Sequence, residues 1–193
     1  NKELFLSADP IKDNDAKELK RRSKMVEWAF ISEKARKLSE LEEFYQYLDV
    51  DYRGRFYYCE SFMNFQGSDL ARGLFKFQHS KPMTESGLQW LAIHTASVFN
   101  MSYNIDEIPD WCTSDYKGHL EGEGLDNISV DKMTLEDRII WTNEYMNEII
   151  QAGKNSQFSG QAEKKVSFLA ACVEWYEFDC AYRDNRIHMT SLP

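Results

Sequence analysis

No run of eighteen apolar residues occurs in this sequence, which excludes a helix long enough to cross a bilayer. Its start, Asn1-Lys2-Glu3-Leu4-Phe5, lacks the basic region, apolar stretch and small-residue cleavage site of an export signal, so a soluble, cytoplasmic chain is expected. Cysteine is sparse. Cys59, Cys112, Cys172 and Cys180 are scattered, with neither the close pairs of a zinc site nor the density of a disulfide framework, and reduced thiols are expected. His79, His94, His119 and His188 also lack metal-ligand spacing and are expected to be packed or surface residues. Positive charge is short as well: 23 Lys and Arg against 32 Asp and Glu give a net charge of −9. That balance excludes nucleic-acid binding by the whole surface and leaves the task to local basic patches.

What is present is enough for a core. With 193 residues, 42% apolar and 14% aromatic, the chain is expected to form one compact unit. Two basic places stand out. One is Lys20-Arg21-Arg22-Ser23-Lys24 with Lys34, Arg36 and Lys37; the other is Asp51-Tyr52-Arg53-Gly54-Arg55. The second lies between Phe44–Val50, apolar or aromatic at alternate positions, and the aromatic run Phe56-Tyr57-Tyr58-Cys59, which reads as a hairpin. Gly54 supplies the backbone freedom of the reversal, and the turn holds Arg53 and Arg55 close to the carboxylate of Asp51. Taken alone, such a turn is ordinarily a solvated loop with a weak surface ion pair. A rigid hairpin carrying arginines also suits a phosphate backbone.

In chain order, an entry segment containing Pro10 leads to a helix from Asp15 to Leu38 or Ser39, with a basic polar face. After the hairpin, Asn64-Phe65-Gln66-Gly67 is a turn, and Ser68 is expected to cap a short helix carrying Arg72. Phe75-Lys76-Phe77-Gln78 alternates as a strand. Thr84 caps a helix with an apolar stripe at Leu88, Leu91, Ala92, Thr95 and Val98. Residues 100–129, with Pro109, Gly118, Gly122 and Gly124 and acidic Glu121 and Glu123, read as a polar surface loop without sustained period. Thr134 and Asp137 suggest a capping box for one helix ended by Gly153. Lys132, just before that helix start, is placed where a phosphate is favoured. A last long helix runs from about Gln161 to Asp179 or beyond, and Arg183 to Arg186 turn the chain into an extended end.

Several blocks fall in one order: the arginine turn, Gly67-Ser68-Asp69-Leu70-Ala71-Arg72-Gly73-Leu74, Lys81-Pro82, Trp90-Leu91-Ala92-Ile93-His94, Val130-Asp131-Lys132, Leu135-Glu136-Asp137-Arg138-Ile139 and Phe168-Leu169-Ala170. Together they resemble the single-subunit DNA-dependent RNA polymerases of T7-type phages and mitochondria, from about Lys17 to Pro193. The resemblance implies an α+β, mostly helical piece of a polymerase right hand. Residues 1–41 correspond to the end of the thumb, 42–81 to a palm hairpin and strand, 82–184 to a helical insertion in the palm, and 185–193 to a return strand. It further implies that Asp51, Arg53, Gly54, Arg55 and Arg72 face the template and RNA–DNA hybrid, and that Lys132 faces the phosphates of a ribonucleoside triphosphate or the departing pyrophosphate. The link between the first helix and the hairpin is shorter than relatives carry, and the loop at 100–129 longer.

Nucleotidyl transfer uses two divalent ions clamped by aspartates. In the family the first aspartate lies a few residues beyond the Leu-Pro that matches Leu192-Pro193, and the second far later. The Mg2+ ligands and the fingers are therefore expected outside this sequence, on a remaining polymerase segment or a second subunit. Transcription in a bacterial host's cytoplasm is the expectation for a phage-encoded enzyme. The alternatives are a non-catalytic nucleic-acid-binding or regulatory subunit that keeps the scaffold and, less in keeping with the blocks, a DNA polymerase of related fold. The sheet is expected to be small and antiparallel, built from the hairpin, Phe75–Gln78 and the terminal strand, with an apolar edge left for the rest of the enzyme.

Overall fold

The computed structural model describes residues 16–112, 121–124, 126–158 and 160–192, with side chains from Glu18 onward. Pro10, the Asp15 helix start, Gly118, His119 and Pro193 lie outside them. Helices dominate, and the strands are short and antiparallel. Among the described residues no helix is long and apolar enough to cross a membrane. The expected single unit is two: residues 1–74 and 75–193 form separate compact units.

The first unit holds α1 (Ala16–Leu38), β1 (Leu48–Val50), β2 (Phe56–Tyr58) and α2 (Asp69–Gly73). Its apolar interior is small. Ile31, Met63 and Ala71 are buried, and Phe30 stacks on Phe62 with ring centroids 5.6 Å apart, while Leu19, Trp28 and Phe30 stay largely exposed. Polar side chains bonded to backbone supply the rest of the order. Gln46 Nε2 donates to the Met63 carbonyl at 2.7 Å, and the buried Asn64 donates to the Glu60 carbonyl at 2.5 Å while accepting from the Gln66 amide at 2.8 Å. That last pair makes the expected turn before Gly67.

The second unit begins with β3 (Lys81–Pro82) and continues through α3 (Glu85–Phe99), β4 (Ser102–Asn104), β5 (Asn127–Ser129), α4 (Leu135–Glu144), α5 (Met146–Asn155), α6 (Lys165–Arg183) and β6 (Met189–Thr190). Thr84 and Thr134 cap α3 and α4 as expected, accepting from the Gly87 and Asp137 amides at 3.1 Å each. The core lies among these helices: Leu91, Ala96, Trp141, Ile149, Phe168, Cys172 and Trp175 pack together, and burial pushes the Cys172 thiol up to about 12. Thr95, Thr142 and Trp175 satisfy their polar atoms from within it. Thr95 donates to the Leu91 carbonyl and accepts from Trp175 Nε1, and Thr142 reaches the Ala92 carbonyl of the neighbouring helix at 2.7 Å.

Six local expectations change. The single helix after Thr134 is broken at Tyr145, which sits at φ −98°, ψ 16° with its ring 4.9 Å from that of Trp141. Gly153 does not end a helix. It is buried inside α5, which runs to Asn155, and a Cβ there would lie 2.0 Å from the Cys172 carbonyl oxygen, so glycine permits the close approach of α5 and α6. Ser68 makes no side-chain cap. Phe75–Gln78 is not a strand: the Phe77 amide donates to the Ser191 carbonyl at 2.7 Å, but the ladder itself pairs Lys81 with Thr190 and Pro82 with Met189. Instead of one sheet, the described residues form three separate two-stranded ones. The third, β4 with β5, closes the base of the 100–129 loop. α6 starts at Lys165 rather than Gln161, because the Glu163 and Lys164 amides are drawn to the Phe99 and Val98 carbonyls at the end of α3.

Candidate nucleic-acid interface

The arginine turn is held by its own aspartate. The Asp51 amide donates to the Arg55 carbonyl and the Gly54 amide to the Asp51 carbonyl, both at 2.9 Å. Asp51 Oδ1 accepts from the amides of Arg53 at 2.8 Å and Arg55 at 2.9 Å, and Oδ2 from Arg53 Nε at 3.3 Å. Asp51 thus orders backbone first and pairs charge second, as short acidic side chains do in turns. The Arg55 amide, followed by the Arg53 amide and guanidinium, holds its carboxyl below the usual carboxylate value. Gly54 has φ 77°, a conformation that disfavours any other residue, although space for a Cβ is open.

The two arginines differ. Arg53 is engaged by Asp51 and lies over the Tyr52 ring, 5.3 Å from its centroid. Arg55 is exposed, and its guanidinium has no ion pair among the described residues. Arg72 is the third cation of this unit. It sits near the end of α2, half-buried, and its Nε is buried with no hydrogen-bond partner among the described residues. A donor in that state carries a desolvation cost that an incoming acceptor would relieve. Gln66 Nε2 reaches the Phe56 carbonyl at 3.2 Å, tying the turn before α2 to the hairpin.

The basic face of α1 is largely spent on its own acids. Arg21 and Arg22 pair with Glu18, Arg36 with Glu33 and Glu40, Lys37 with Glu33, and Lys34 with Glu60. Arg21 first and Arg22 second hold the Glu18 carboxyl down at about 2. Lys20 and Lys24 alone of that set are without an ion pair among the described residues, so the patch is weaker than its lysine and arginine count suggested.

Lys132 belongs to the second unit. It ends a single 3-10 turn, Val130–Lys132, three residues before α4 begins, with its side chain 71% exposed and its ammonium 3.3 Å from the Asp131 carboxylate. Two side chains of unrecognised role hold this turn. Asn100, which closes α3 in a left-handed conformation at φ 53°, accepts from the Asp131 amide at 3.0 Å. Arg138 donates to the carbonyls of Asp131 at 2.7 Å and Met133 at 3.0 Å and reaches Ser97 Oγ at 3.2 Å. An asparagine at a helix end and an arginine within a resembling block were the signals available in the sequence. Neither signal named the carbonyls.

The magnesium site of polymerase chemistry does not fit residues present here. Among the described residues the one group of three potential metal ligands is Glu174, Glu177 and His188, and its histidine is unlike an all-aspartate clamp. No step through magnesium follows from this chain.

Residues 81–193 match the profile of the DNA-dependent RNA polymerase family. Over 149 residues, 75% of this chain, the sequence is 33% identical to the mitochondrial DNA-directed RNA polymerase 1 of Arabidopsis thaliana. It is 31% identical over 74% of the chain to that plant's chloroplastic/mitochondrial enzyme 2, and 29% identical over 74% to the chloroplastic enzyme 3 of Nicotiana sylvestris. The chain spans 12% of the length of each of these relatives. With the ordered blocks and these matches together, the chain belongs to the single-subunit, T7-like family of DNA-dependent RNA polymerases.

Proposed function

We propose that this chain is a portion of a DNA-directed RNA polymerase that grips nucleic acid while the magnesium-binding aspartates and fingers lie elsewhere in the enzyme. Arg55 and Arg72 contact the backbone of the RNA–DNA hybrid and template, Arg53 does so from its place on Tyr52, and Asp51 and Gly54 fix the turn that presents them. Lys132 faces the phosphates of the ribonucleoside triphosphate. There a phosphate displaces the ammonium from Asp131 and gains the partial positive charge of the α4 N-terminus. The thumb end, palm hairpin, helical palm insertion and return strand keep the ranges assigned above. The rest of the polymerase covers the first unit, which exposes Leu48, Val50 and Phe56 along a two-stranded sheet with open edges.

The observation that carries this reading is the guanidinium of Arg55, unpaired among the described residues and set on a turn made rigid by Asp51. In the complete enzyme, Arg55→Ala should weaken hybrid binding, reduce the salt dependence of that binding by about one counterion, and cause early release of short transcripts. An unchanged salt slope together with normal extension would remove the hybrid contact from the reading.

A further inference from the structure

The return segment of the second unit meets α6 at a cluster that the polymerase reading does not use. Glu174 and Glu177 stand one helical turn apart on α6, which puts both carboxylates on one side. After Arg183 the chain reverses through Asn185, at φ 54°, and brings His188 back alongside them. His188 Nε2 lies 2.8 Å from Glu174 Oε1, with 7% and 5% of the two side chains exposed. Glu177 is exposed, and one ligand atom from each of the three lies within 4.8 Å of the other two. His188 is positioned from two directions: its ring meets that of Phe178 edge-on, 6.1 Å between centroids, and its backbone carbonyl accepts from the Met83 amide at 2.9 Å.

We propose that Glu174, Glu177 and His188 bind a divalent transition-metal ion of the zinc class, independently of the magnesium that serves polymerisation. The donor set argues for the class. One imidazole nitrogen and two carboxylate oxygens suit zinc and its neighbours, while magnesium prefers an all-oxygen, largely hydrated shell. Two carboxylates neutralise the dication. A cavity of about 380 Å3 opens beside Glu177 and His188, lined also by Tyr176, Cys180 and Arg186, with room for the water that completes a tetrahedral shell. Arg186, the cation on its wall, is turned to Asp184 at 2.7 Å.

Binding puts a metal where the pair now holds a hydrogen bond. The contact between His188 and Glu174 has the length of a hydrogen bond, whereas ligand atoms about 2.0–2.2 Å from a tetrahedral zinc stand roughly 3.3 Å apart. The ion therefore takes the place of the proton between them, which moves to Nδ1 or, where Nδ1 already carries one, passes to water, and the two atoms part by about half an ångström. The consequence is a staple between α6 and the segment that enters β6, where Met189 and Thr190 pair with β3.

The test uses the full-length polypeptide in excess Mg2+, which occupies all-oxygen sites, with Zn2+ titrated by calorimetry and Co2+ as a visible-absorption probe. One saturable site per chain with the strong bands of tetrahedral Co2+ is expected. His188→Asn should abolish it, and Glu177→Gln, a change at an exposed position that leaves the core untouched, should weaken Zn2+ binding at least about tenfold. Absence of saturable binding in the natural sequence, or equal affinity in the Glu177→Gln variant, would overturn the site and leave a buried hydrogen-bonded pair.

Discussion

The Asp51 turn and the Lys132 turn each present a cation from a few residues of irregular backbone, but they are held in different ways. Asp51 bonds to Arg53 and Arg55, two and four residues along the chain. The Lys132 turn is held by Asn100, 31 residues before Asp131, and by Arg138, which is anchored in turn on Ser97, 41 residues away. One turn is specified by a pentapeptide, the other by a packed helical unit. The Lys132 turn should therefore fail when the core of the second unit is disturbed, and the Asp51 turn should not.

The largest expected effect comes from Gly153. In Gly153→Val the first added carbon would sit 2.0 Å from the Cys172 carbonyl oxygen, and backbone cannot yield as a side-chain tip does. A loss on the order of 3 kcal/mol is expected in urea denaturation followed by the fluorescence of Trp141 and Trp175. Hydrogen-exchange protection of the Arg53 and Arg55 amides should keep its value, and its loss would break the contrast between the two turns.

Arg138→Ala comes next. It removes a charged donor from two backbone carbonyls and a serine, for about 2 kcal/mol of stability. As a positioning residue for Lys132, Arg138 should also govern nucleotide binding: the apparent KM for nucleotides should rise in Arg138→Ala as it should in Lys132→Ala, with kcat less affected. Arg138→Lys should not rescue it, because an ammonium cannot reproduce the planar fork that spans these acceptors. A variant with lowered stability and unchanged KM would make Arg138 a scaffold residue only.

The same contrast explains what was legible beforehand. The hairpin, the Thr84 and Thr134 caps and the Asn64–Gly67 turn depend on neighbours in sequence, and their residues say so. Gly153 reads as a helix end because sequence displays the missing side chain but not the α6 backbone it admits. Phe75–Gln78 has a strand's alternation, yet a strand needs a partner, and Ser191 accepts from only one of its amides. Arg21, Arg22, Arg36 and Lys37 looked like a surface for phosphate until Glu18 and Glu33 on the same helix, and Glu40 just past its end, were placed three and four residues from them. His188 had no ligand spacing along the chain, because Glu174 and Glu177 reach it only after the reversal at Asn185. Arg55 and Arg72 were nameable as candidates, but the missing partners of both are a property of the fold.

The smallest effect sharpens the local half of the contrast. Amides of Arg55 and Arg53 hold the Asp51 carboxyl below its ordinary value of 3.8, so in the acid range the unfolded chain binds the proton more readily than the folded one. The charged carboxylate's contribution is thus complete above the ordinary carboxylate value and disappears as pH falls through the lower, folded one. Nuclear magnetic resonance should find the Arg53 and Arg55 amide shifts titrating together with a midpoint below 3.8, since one carboxylate oxygen serves both. In Asp51→Asn the amide oxygen can still accept, so the turn should persist while this titration vanishes, and the variant should be slightly less stable than the natural chain at neutral pH and equal to it in strong acid. Two different midpoints, or one at the ordinary value, would mean that the turn is ordered by something other than Asp51. Arg55 would then be presented by a loop with no fixed geometry, which is a poorer grip on a phosphate backbone than the one proposed.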